Sequence, residues 1–85
     1  MKREYYSDSI ANFIGTTPDN ILGILANNSG FDIATLQRDA WRKEIDILHS
    51  ILRNYDGEVF FEYSIPRMGK RIDVVIIIKH IIFVL

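Results

Sequence analysis

Two carboxylates stand where the surrounding pattern asks for apolar side chains. Over the segment 35–55, Trp41, Ile45, Leu48, Leu52 and Tyr55 recur at helical steps and form one stripe. On a helical projection Ile47, Ala40, Ile51, Tyr55, Leu48, Leu52 and Ile45 cover an arc from about −120° to +40° of Trp41, and Glu44 falls inside it at about −60°, between Ile51 and Tyr55. Gln37, seven residues earlier, lies on the same stripe. The opposite side takes Arg42, Lys43, Asp46, His49, Ser50 and Arg53. The second carboxylate is Asp73, the one charged residue in the run Ile72-Asp73-Val74-Val75-Ile76-Ile77-Ile78. Asp is depleted from strands. A carboxylate aimed at a core is costly unless it is paired, hydrogen-bonded or coordinating a cation. Glu44 and Asp73 are therefore either edge-of-core acids held by amides or basic neighbours, or the acids of a site between helix and sheet.

The segment before Asp73 holds three cations, Arg67, Lys70 and Arg71, around Gly69. Such a cluster suits a phosphate; a solvated hairpin loop has the same composition. Two histidines, His49 and His80, are too few and too far apart for a His-rich metal site, and there is no cysteine. A disulfide framework, a thiolate zinc site and a cysteine nucleophile are thereby excluded.

The elements that must position these residues follow from capping and periodicity. Ser7 or Ser9 caps a short helix over about 8–14, stopped at Gly15. Thr17-Pro18-Asp19 starts a second helix over about 18–27, and the long helix covers about 35–55. Strands are expected at about 58–65, 72–78 and 81–85, with loops at 66–71 and at Lys79-His80. The apolar run of the second strand implies burial on both faces. A hairpin about Lys79-His80 sets Ile78 against Ile81 and Val74 against Leu85. If Ile65 pairs with Ile72, Glu62 and Ser64 share the face of Asp73. The fold class is α+β, helices followed by a three-stranded antiparallel meander, in one domain over 1–85.

Composition bounds the rest. Ten Lys and Arg against eleven Asp and Glu give a net charge of −1, which excludes a polybasic nucleic-acid arm and an acidic tail. No apolar segment follows the basic start Met1-Lys2-Arg3. The apolar stretch 72–85 is broken by Asp73, Lys79 and His80, whereas a spanning helix needs about 20 mostly apolar residues. No membrane partner is expected, and the cytoplasm is the default location. A sheet apolar on both faces with an abrupt last strand predicts self-association through uncovered surface.

Three segments carry a resemblance: Glu4-Tyr5-Tyr6-Ser7, Asp39-Ala40-Trp41-Arg42-Lys43-Glu44-Ile45, and the run from Phe60 through Pro66-Arg67-Met68-Gly69-Lys70-Arg71-Ile72-Asp73 to Val75. Together they resemble the restriction-endonuclease-like PD-(D/E)XK nuclease fold, in the form that precedes a Schlafen-like P-loop helicase or ATPase region in bacterial proteins. The resemblance implies a partial nuclease core in which Glu44 and Asp73 are catalytic and bind Mg²⁺. It also implies nucleic acid (DNA or RNA) and the rest of a helicase/ATPase polypeptide as partners. The family's acid-any residue-lysine run, expected directly after the strand at 81–85, has no counterpart among the 85 residues. The expectation is thus a truncated domain, inactive as this chain, with Arg67, Lys70 and Arg71 as phosphate contacts and Gln37 and Glu62 as accessory residues. The competing readings are a non-catalytic remnant or protein-interaction module of the same partial fold, and an unrelated small α+β domain whose acids serve packing.

Overall fold

The computed structural model describes residues 4–29, 35–65 and 68–85. A strand missing from the sequence reading comes first: β1 (Tyr6–Ser9), followed by helix α1 (Ile10–Gly15). Tyr6-Ser7-Asp8-Ser9 is short and polar, with no alternation to mark it, so the segment expected to open a helix at 8 is still strand until Ser9. The helix begins there because the Ser9 hydroxyl accepts the Asn12 backbone N–H at 3.1 Å. Helix α2 (Pro18–Ser29) starts as its signal implies, with Thr17 Oγ1 accepting the Asn20 N–H at 3.3 Å.

The long helix, α3 (Thr35–Ile51), stops four residues short of the expected Tyr55. The backbone tightens into a turn in which the Tyr55 N–H donates to Leu52 O at 3.1 Å. Leu52 is the last residue of the stripe to be buried, and Tyr55 is exposed. Another helical turn would bury nothing, while the chain has to double back to Gly57, whose carbonyl accepts the Ile10 N–H at 2.8 Å.

The remaining strands are β2 (Glu58–Ile65), β3 (Lys70–Ile78) and β4 (Ile81–Val84). The four strands form one antiparallel sheet in the order β1-β2-β3-β4. The molecule is mixed α+β, and the expected three-stranded meander is present with β1 added at its edge. The last hairpin has the expected register, Ile78 opposite Ile81, with the Leu85 N–H donating to Val74 O at 2.9 Å. Its two-residue turn bends on Lys79, at φ 56°. The β2–β3 hairpin is two residues tighter than expected: Ile65 pairs with Lys70, and Ile72 with Tyr63. The strand reaches back to Lys70 because Gly69, at φ 62°, completes the reversal before it. That slide puts Glu62, rather than Ser64, across from Asp73.

The core lies on one face of the sheet. Phe13 is fully buried and stacks obliquely on Tyr6 and Phe61, with centroids 6.2 and 5.9 Å away. Trp41, Ile45, Leu48 and Leu52 from α3 join Val59, Phe61, Val74 and Ile76 from the sheet. Burial on both faces of β3 is not what forms: Val74 and Ile76 are buried, whereas Val75 and Ile77 between them are only half-buried. The residues of α1, α2 and α3 that join the core meet the Val74 and Ile76 face, and Val75 and Ile77 do not join that core. No helix among them is long and apolar enough to cross a membrane.

Candidate functional site

Glu44 and Asp73, 29 positions apart in sequence, line one cleft of about 410 Å³ together with Gln37, Ala40, Lys43, Ile47 and Glu62. Helix α3 supplies five of these residues at helical spacing, β2 supplies Glu62 and β3 supplies Asp73. Glu44 sits one residue before Ile45, which is completely buried, so the helix phase that buries Ile45 carries Glu44 to the core margin, half-buried.

Glu62 reaches the cleft through an irregularity in the sheet. The β2–β3 ladder is continuous except at Glu62 and Asp73, which fall between the pairs Phe61–Val74 and Tyr63–Ile72. Glu62 has φ 56°, a left-handed conformation that costs a non-glycine residue about 1–3 kcal/mol. Like charges directly opposite on neighbouring strands repel, and the broken pair is where that repulsion arises. Three acids from three elements therefore face one space.

Their protonation reflects it. Burial pushes the Glu44 carboxyl up to about 7, with the charges of Asp73 and then Glu62 adding to the rise. Glu62 is also raised, first by burial and then by Asp73; the Trp41 indole and the Arg71 guanidinium act in the opposite direction. Trp41 is 2% exposed and its Nε1 has no partner within hydrogen-bond geometry.

Arg71 lies 4.3 Å from the Tyr5 ring centroid, stacked as a cation on an aromatic face. Lys70 and Arg71 are both exposed and consecutive in β3, so the pleat sends them to opposite faces. Arg67, the third cation expected to contact phosphate, lies outside the described residues. Lys43, assigned to the solvent side, is exposed there and also borders the cleft. His49, assigned there too, packs edge-on against Phe13 at 4.6 Å, with its Nε2 buried and unpartnered. On the projection Lys43 stands next to Ile47 at the edge of the apolar arc, so an exposed residue still borders the cleft.

The donor chemistry suits a hard cation, since carboxylate oxygens are what Mg²⁺ takes, often one or two with waters completing the octahedron. Among the described residues no three or more His, Cys, Asp or Glu side chains gather closely enough to cage a metal ion. Compared with family models, with curated proteins and with solved structures, the chain has no match.

Proposed function

We propose that this chain is the acidic part of a PD-(D/E)XK-like, Mg²⁺-dependent phosphodiester-hydrolysing or nucleic-acid-binding domain, working in the cytoplasm beside a helicase/ATPase region. The observation that supports this reading is the convergence of Glu44 and Asp73 on one cleft. Their mutual repulsion, with Glu62 alongside, is the electrostatic situation a divalent cation relieves. Asp73, exposed at the mouth, and Glu44, half-buried behind it, would hold the ion, with waters and a substrate phosphate filling its remaining positions. When bound, the ion supplies charge for a phosphoryl oxygen and acidifies a bound water. The chain's own groups do the rest. Protonated Glu44 relieves repulsion until a cation arrives, Glu62 shares the field, and Arg71 presents a guanidinium on the face of Asp73.

The test is thermal unfolding with and without millimolar Mg²⁺ near pH 7.5. A rise in Tm is expected for the wild type, and Asp73→Asn should abolish it. No cation-dependent shift in a wild type that unfolds cooperatively would sink the proposal. A second reading, a protein-interaction module without chemistry, is favoured by one feature, the uncharged and exposed strand β4.

A further inference from the structure

The two edges of the sheet are unlike. β1 reads Tyr-Ser-Asp-Ser and runs directly into α1, so charge and a helix guard that edge. β4 and the residue after it read Ile81-Ile82-Phe83-Val84-Leu85, all 45–63% exposed, with no charge, proline, glycine or bulge among them. Natural edge strands are normally protected by one of those devices. The outer row of β4 has no strand partner among the described residues. Ile82 and Val84 continue the face of Val75 and Ile77, while Phe83 and Leu85 line an apolar groove with Ile51 and Tyr55.

We propose that β4 is a self-association edge, on which two copies of this chain pair β4 to β4, antiparallel about a two-fold axis, into one continuous sheet. A strand paired with its own copy in this way is isologous, each donor row meeting the matching acceptor row. Antiparallel pairing also sends the two Lys79-His80 turns to opposite ends of the ladder, so no like charges face each other; parallel pairing would stack them. The area suits a weak, reversible dimer: residues 81–85, about half exposed, offer on the order of 500 Å² per copy, below the about 800 Å² per partner of a stable interface. The inference does not depend on the cation site.

Sedimentation equilibrium of the 85-residue chain from low to high micromolar concentration reads the state directly. The expected particle has twice the 9.9 kDa chain mass, and Ile82→Lys should return it to 9.9 kDa with an unchanged circular dichroism spectrum. Amide hydrogen exchange on the wild type gives an independent readout, should that variant fail to fold. Exchange at 81–85 should slow at least tenfold between the dilute and concentrated samples. A monomer throughout, growth beyond two copies, or a dimer whose β4 amides exchange at the dilute rate would each overturn the proposal. The last of these would point to face-to-face packing through Phe60 and Ile77 instead.

Discussion

Glu44 concentrates the physical tension of the cleft. Its carboxyl is partly removed from water and shares a space with two other acids, so the charged form is disfavoured by desolvation first and by Asp73 and Glu62 after it. A carboxyl whose folded pKa is about 7 and whose ordinary value is 4.5 binds its proton more tightly in the folded state. The stability it contributes is therefore fully present below about pH 4.5 and is lost as the pH rises through about 7. Partial solvation reduces the effect, leaving on the order of 1–2 kcal/mol between those limits. Urea unfolding at a series of pH values should show the wild type weakening across this window, with Glu44→Gln flattening the profile and exceeding the wild type at pH 8. A variant profile parallel to the wild type's would remove Glu44 as the cause. Glu44 and Asp73 were legible in the sequence because each violates the pattern of its own element, an acid on an apolar helical stripe and an acid in an apolar strand. Glu62 was legible only as a possible companion: its place depends on a register two residues from the expected one and on a left-handed backbone that no local signal announces.

At the scale of elements, what the sequence carried well were the signals contained in a few neighbouring residues. The Thr17-Pro18 helix start and the pairing about Lys79-His80 are of that kind. What it carried poorly were elements defined by distant partners. β1 exists because Phe61 accepts the Tyr5 N–H and Val59, Phe60 and Phe61 stand opposite Asp8, Ser7 and Tyr6. The end of α3 is likewise set by where the chain must go next, and Gly57 fixes that point. A Cβ at Gly57 would collide with the Ile77 carbonyl oxygen, which belongs to the β2–β3 ladder and has little room to yield. Gly57→Ala is expected to cost about 2–4 kcal/mol, a fall in Tm on the order of 10–20 °C for a chain of this size. Gly15→Ala, where a Cβ meets nothing within 4 Å, is the matched control and should unfold within a few degrees of the wild type. Equal effects from the two substitutions, measured by calorimetry, would refute close approach as the reason for glycine at 57.

For the whole molecule, the layering decides how much chemistry these residues can support. Helices cover one face of a four-stranded sheet, and the cleft opens where α3 meets β2 and β3. Among the described residues it offers three carboxylates, Gln37 and one cation, Lys43, next in sequence to Glu44. Hydrolysis of a phosphodiester needs a cation held firmly enough to polarise the phosphate and a group placed to activate water. Two carboxylates that do not cage an ion hold it weakly, and protonation of Glu44 near neutral pH competes with it further. A net charge of −1 supplies no long-range attraction for nucleic acid, whose binding is dominated by neutralised phosphates. The 85 residues should therefore show no efficient cleavage of single- or double-stranded DNA or RNA with Mg²⁺, even under conditions where the cation raises Tm. Weak, salt-sensitive binding through Lys70 and Arg71 is the most that the charge distribution supports. A Mg²⁺-dependent cut by the purified chain, lost in Asp73→Asn and retained in Lys70→Ala, would mean that Glu44, Glu62 and Lys43 complete a working site by themselves. Binding without cleavage would place the chemistry's missing groups outside this cleft.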